Sequence, residues 1–347
     1  MPGTGHPSRH RFGLDRHGAL RRSGSRPPRL FLPGVAVAGW MAVAAAISTA
    51  VPAPVQAQAA ASARMGSDSP GDSAPDSAFL VARVRDAQRR FENIRREDLP
   101  VRLGGLGSHC DERIGRMCWR YNYDPHWTPE TESDRIARAR LDLLDVLAEI
   151  QPRIPGDGWV LGLRVRYLTE AGFTNLAQRV ARTDCAAAEW WCLALEGYAL
   201  HRAGWTEEAE EVFARALDRM PMNEAADFRN LRKVLDRGTR SWSYADGRTE
   251  LERARFWALS DPLVLTPGNE RWVEHLVRVT EAHMSRDARN PHAISWGPDL
   301  EELLLRFGPE VGWEQVPTPF GSQRPESVVG HEDPMGGRYT PSGEILD

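Results

Sequence analysis

Lysine is all but absent from this 347-residue chain, Lys233 being the only one among 44 basic residues. Such a bias points to a high-GC bacterial genome rather than to a function. A basic tract is missing as well, once the N-terminus is set aside. Seven arginines against Asp15 put +6 in residues 1–57, and the formal charge of −4 for the whole chain leaves −10 on the remainder. An acidic body without a basic stripe excludes nucleic acid as the natural partner. Catalytic signatures are also lacking. There is no G-x-S-x-G elbow, no glycine-rich phosphate loop and no paired Cys/His metal motif. No catalysis, metal or cofactor is therefore expected. Cysteine is scarce, and none lies near residue 57, which excludes anchoring as a lipoprotein.

The N-terminus sets the compartment. Its arginines precede an uncharged run, Val35–Ala50, then Pro52 and Pro54, then the small-x-small site Val55-Gln-Ala57. That order is a secretory signal peptide, cleaved near Ala57, and implies a periplasmic or secreted protein. The alternative is an uncleaved segment that anchors the chain in the inner membrane, the only membrane contact expected. Residues 58–77, rich in Ala, Ser, Gly, Asp and Pro, read as a disordered linker.

The four cysteines, Cys110, Cys118, Cys185 and Cys192, are even in number and allow three pairings in an oxidising compartment. The local pairs Cys110–Cys118 and Cys185–Cys192 are the expected ones. Otherwise the cysteines are small buried hydrophobes, since Cys192 lies on an apolar helix.

What the chain does have is a 32-residue echo. Trp159-Val-Leu161-Gly-Leu163 returns as Trp191-Cys-Leu193-Ala-Leu195, Ala171-Gly172 as Ala203-Gly204, Ala177 as Ala209 and Val180 as Val212. In the second copy an apolar helix runs to Arg202 and Gly204 breaks it. Thr206 then offers a cap, with Glu207 and Glu208 at the positive end of the next helix dipole. Ala209, Val212, Phe213, Ala216, Leu217 and Met220 follow at spacings of three and four, one buried stripe, and Pro221 ends it.

These residues resemble the tetratricopeptide repeat. Gly197, Gly204, Ala209, Phe213, Ala216 and Pro221 match its small residue, turn glycine, alanine, aromatic, alanine and proline. The first copy keeps Gly172 and Ala177 but has Ala181 for the aromatic and Asp184 for an alanine. The resemblance implies a mainly α fold, a TPR-like solenoid of helical hairpins, over residues 129–238. Two hairpins need covering neighbours. A helix capped by Thr131-x-x-Asp134 with Ile136, Leu143, Leu147 and Ile150 is expected upstream. One capped by Asn223, running through Phe228 and Leu235 to Gly238, is expected downstream.

Residues 78–128 read as an N-terminal helix and a cysteine-containing segment. Further on, Phe256-Trp257, Asp261-Pro262, Thr266-Pro267 and Asn269-Glu270 occur in the order found in bacterial GWxTD-domain proteins. The resemblance covers 248–316 and is divergent, since Ile294-Ser-Trp296-Gly297-Pro298-Asp299 replaces the family's signature. It implies a small irregular or α+β module and no activity. Thr266 is expected to cap a helix with Pro267 at its first position. Leu303–Phe307 is open between strand and helix end, and 317–347 reads as an irregular tail.

In the tetratricopeptide arrangement the first helix of each pair lines a concave face, which places Trp159, Arg166, Trp191, Tyr198, His201 and Arg202 there. Aromatic and arginine side chains dominate binding hot spots. The expected function is an exported scaffold holding a protein or peptide partner in this groove, with Trp159 and Trp191 alternatively core. One alternative is an envelope structural or assembly protein binding through its terminal module. Another is a hydrolase using His275, Glu281 and His283, whose histidines lie too far apart along one helix to chelate a metal as an i, i+4 pair would.

Overall fold

Two glycines with positive φ, Gly172 at 79° and Gly204 at 86°, turn the chain inside two successive helical hairpins. The computed structural model describes residues 76–103, 110–119, 128, 130–231, 234–235, 250–261, 267–316 and 326–331. The signal segment, nearly all of the linker, and the expected caps at Thr266 and Gly238 lie outside them.

The fold is mainly helical. α1 (Ser77–Asp98) packs on α2 (Asp134–Ile150), α3 (Gly158–Glu170) on α4 (Thr174–Thr183), and α5 (Glu189–Arg202) on α6 (Thr206–Arg219). They are followed by α7 (Met222–Phe228), α8 (Glu250–Ser260), α9 (Glu270–Ser285) and α10 (Pro298–Phe307). The stripe expected on α2 is fully buried, with Ile136, Leu147 and Ile150 facing Leu80, Val84 and Phe91 of α1 in one core. In the two hairpins Ala177, Val180, Ala209 and Val212 occupy equivalent core positions, 32 residues apart.

The caps differ from expectation by a few residues. Ser133, not Thr131, caps α2 by accepting from the Ile136 N–H. Asn269, not Thr266, caps α9 by accepting from the Trp272 N–H, and Pro267 lies ahead of the helix. Asn223 sits inside α7, which starts after Pro221 and stops at Phe228. At α2 and α9 another polar residue within a few positions takes the cap. By contrast α6 and α7 follow Trp205 and Pro221 with no side-chain cap, so Thr206 is the first residue of its helix and not its cap.

α9 supplies what two hairpins lack. Val273, Leu276, Val277 and Met284 are buried in the same core as α3, α5 and α6. Its approach to α3 is close, since a Cβ at Gly162 would meet the Met284 side chain at 3.0 Å. No helix among the described residues is long and apolar enough to cross a membrane.

Local periodicity gives no sign of the sheet. β1 (Val101–Leu103), β2 (Glu112–Ile114), β3 (Met117–Trp119), β4 (Glu310–Val316) and β5 (Glu326–His331) form one five-stranded sheet in the order β1-β4-β5-β3-β2. β1 runs parallel to β4 with Val101 opposite Trp313, and β3 parallel to β5 with Cys118 opposite Val328. The segment expected to be an irregular tail thus contributes a strand. Val328-Val329 is β-branched, but its partner lies some two hundred residues earlier, beyond any local pattern. Leu303–Phe307 is the last turn of α10, ended by Gly308 at φ 78°. Phe307 stacks on Trp119 at 4.2 Å, joining the sheet to α10. Arg116, in the β2–β3 turn, donates to Asp299 from Nε and Nη2 at 2.6 and 2.7 Å.

Cys110 is bonded to Cys118 and Cys185 to Cys192. Two disulfides indicate an oxidising compartment outside the cytoplasm.

Candidate functional site

The inner face of α3 and α5 is not an open groove, because α9 lies across it. Arg202 reaches Glu281 of α9 at 3.1 Å, His201 reaches Glu274 at 3.2 Å, and Arg166 donates to Ser285 Oγ at 2.9 Å. Trp191 is buried, donating from Nε1 to the Gly158 carbonyl at 2.8 Å, and its ring lies 6.0 Å from that of His283. Trp159 is half-buried under the Arg85 guanidinium, 4.5 Å from its ring. The physical reason is composition. α3 and α5 are apolar nearly all round, burying Leu161, Leu163, Val165, Ala194, Leu195 and Leu200, so both faces of each must be covered. The chain covers the second face itself.

Three of the six candidate residues nevertheless converge. Arg166, Tyr198 and Arg202 line a cleft of about 420 Å³ where the ends of α3, α5 and α9 meet α10 and the start of β4. Arg95 from α1 and Glu170, Glu281 and Ser285 complete its polar side, and Trp296, Leu300, Leu303, Leu304 and Val311 face them. Trp159, Trp191 and His201 do not line it.

The electrostatics are tightly balanced. Burial alone would raise the Glu170 pKa, but the Arg166, Arg95 and Arg140 guanidiniums outweigh it and hold the group at about 2. Arg166 donates to Glu170 at 2.9 Å, and Arg95 lies 3.7 Å from its other oxygen. Behind them burial raises the Glu92 pKa even though Arg95 lies within 4.0 Å. Tyr167 donates to Glu92 at 2.8 Å and accepts from Gln88 at 3.1 Å. Gln88 in turn fixes the loop at the rim, donating to the Arg289 carbonyl at 2.9 Å and accepting from its N–H at 3.0 Å. Across the rim His292 bonds Glu310 at 2.6 Å. Burial lowers the His292 pKa and the Glu310 carboxylate outweighs it, so the net shift is upward.

The alternative set His275, Glu281 and His283 is dispersed along α9. His275 is sealed in the core with Nε2 against the Phe228 carbonyl at 2.8 Å, and burial drives its pKa down to about 3. Glu281 is engaged by Arg202, and His283 bonds Asp227 at 3.2 Å. Among the described residues, no three His, Cys, Asp or Glu side chains are grouped to hold a metal ion.

Sequence reasoning missed Arg95, Glu170, Arg289, His292 and Glu310. The Arg166/Glu170 pair at i, i+4 is the one local signal; the others are brought in from positions up to 215 residues apart. Comparison with protein-family models, curated proteins and solved structures gave no match to this chain.

Proposed function

We propose that this is an exported, non-catalytic interaction protein. Its tetratricopeptide-like hairpins form a scaffold that presents the cleft beside Arg166, Tyr198 and Arg202 to a protein or peptide partner. One observation carries this reading: two arginines and a tyrosine from two repeat helices meet an apolar wall at one open cleft. Hot-spot residue types at a mixed polar and apolar concavity are what recognition requires. The N-terminal signal segment and the two disulfides support a periplasmic or secreted location, with cleavage near Ala57. An intact mass of the exported protein tests that location, because an inner-membrane anchor would retain residues 1–57.

The binding reading is tested by affinity capture from periplasmic extract. Wild type is compared with Arg166→Ala/Arg202→Ala and with Arg289→Glu. The double variant removes buried ion pairs, so its helicity and melting temperature are checked first. Arg289 is exposed and its guanidinium has no partner among the described residues, so its substitution does not act through folding. A partner lost by both variants supports the cleft. Identical capture by all three proteins rejects it.

A further inference from the structure

The ionisable side chains that line the cleft do not cancel. Four guanidiniums border it, those of Arg95, Arg166, Arg202 and Arg289. Three carboxylates answer them, Glu170, Glu281 and Glu310. Along the lining itself guanidiniums thus outnumber carboxylates by one even with His292 neutral, Glu92 standing behind Arg95 outside that count. The surplus is placed to be used. Arg166 spends Nε on Glu170 and Nη1 on Ser285, which leaves Nη2 without a protein acceptor among the described residues. Arg289 stands at the rim with its backbone fixed by Gln88 and its side chain exposed, without a partner among the described residues. Opposite lie Trp296, Leu300, Leu303 and Leu304, with no charge of their own.

We infer that the cleft binds a single carboxylate carried on an apolar body. The carboxylate is held by charge-assisted hydrogen bonds from the two guanidiniums of the lining that keep donors uncommitted among the described residues, Arg166 through Nη2 and Arg289. The apolar body lies on the α10 wall, and a cleft of about 420 Å³ falls in the range that holds a small ligand or one chain end. A free amphiphilic acid and the C-terminal residue of a partner protein present the same chemistry. The inference rests on the proposed reading only in taking this cleft as the binding surface.

Calorimetric titration of the purified exported protein tests it with five probes. Octanoate, octanol and octylamine form one series; acetyl-Ala-Ala-Leu as free acid and as C-terminal amide form the other. The expected result is saturable binding of at least one acid, with its uncharged or amine counterpart at least tenfold weaker. Arg289→Gln should weaken the acid about threefold to tenfold without changing the melting temperature. Binding of the peptide acid but not the amide supports a protein C-terminus as the source. Binding of octanoate with neither peptide supports the inference and counts against a protein partner. Octylamine or octanol binding as well as octanoate overturns the inference, as does the absence of binding by both acids to folded protein. If acids fail while captured partner is still lost on substituting Arg166 and Arg202, only the ligand assignment falls.

Discussion

Phe213 lies directly beneath Gly197, so closely that a Cβ built on the glycine would stand 2.8 Å from two ring carbons. Both residues are buried within the second hairpin, and Phe213 is fully so. The equivalent positions of the first hairpin, 32 residues earlier, hold Val165 and Ala181, also fully buried. Volume has moved from the second helix of the pair to the first. What reads in sequence as an eroded repeat is a compensated exchange, small over large in one copy and large over small in the other.

That exchange predicts non-additivity. Gly197→Val should destabilise by about 2–3 kcal/mol through overpacking, and Phe213→Ala by about 3–5 kcal/mol through a cavity. Gly197→Val/Phe213→Ala, which copies the first hairpin, should cost at least 1 kcal/mol less than the two singles combined. Urea unfolding of the four proteins measures this. Strict additivity would mean that the two hairpins do not pack alike.

The disulfides close loops of seven and eight residues in sequence separation. Loop entropy for closures this short is about 2.5 kcal/mol each. Cys185→Ala/Cys192→Ala should lose about that much, and a reducing agent should destabilise wild type further than it does this variant. Denaturation midpoints with and without reductant check both statements. An unchanged midpoint in reductant would show the bridges to be dispensable.

Stability should fall on acidification, beginning above the carboxylate range. His275 is fully buried among Trp257, Trp272 and the Phe228 carbonyl, and its Nδ1 has no hydrogen-bond partner. Burial first, then the Arg271 charge, lower its pKa to about 3. The unfolded chain takes up this proton near pH 6.5 and the folded chain only near 3. Between those values the unfolded state binds more protons, so stability falls by up to about 1.4 kcal/mol per pH unit as pH falls. His201, lowered mainly by burial, has the same sign, while His292, raised by Glu310 against burial, opposes it. Glu170 and Glu274, both held at about 2 by guanidiniums against the burial penalty, add a further loss below about pH 4.5. The test is the difference between wild type and His275→Leu across this range. The variant should lack the part of the slope that lies above the carboxylates, and parallel curves would exclude His275 as its source.

The helical hairpins were legible because their information is local. Gly172, Gly204, the alanines at 177 and 209 and the apolar stripe of α2 all lie where spacing alone puts them. The connection between distant segments was not legible. Arg166, Tyr198 and Arg202 belong to the helices expected, but the covering of their face by α9 depends on tertiary packing. Glu274, and Glu281 of the hydrolase alternative, acquire their role as ion-pair partners only once His201 and Arg202 are placed beside them. The sheet is the extreme case, with three-residue strands too short for periodicity to register.

This architecture predicts the fate of a truncation ending before Glu250. If the repeats were a free-standing scaffold, that fragment would stay folded and keep its partner. The core argues otherwise. Val273, Leu276, Val277 and Met284 of α9 are at most 1 % exposed within the same cluster as α3, α5 and α6, so their removal uncovers an apolar face on both hairpins. It also strands Arg202 and Arg166 without Glu281 and Ser285. β4 and β5 leave together, and they are the middle strands that link β1 to the β2–β3 hairpin. Burying one large aliphatic side chain contributes about 1.5–3 kcal/mol, so losing four removes about 6–12 kcal/mol, the same size as the roughly 5–15 kcal/mol by which most domains are stable. The fragment should be aggregated or molten, with dye-binding hydrophobic surface and rapid proteolysis. A shorter deletion, ending after Val316, spares α9 and removes β5; it should keep its helical circular dichroism while the Cys110–Cys118 segment becomes protease-sensitive. A soluble, cooperatively melting fragment ending before Glu250 would show that the hairpins stand alone and that α9 is a separable plug.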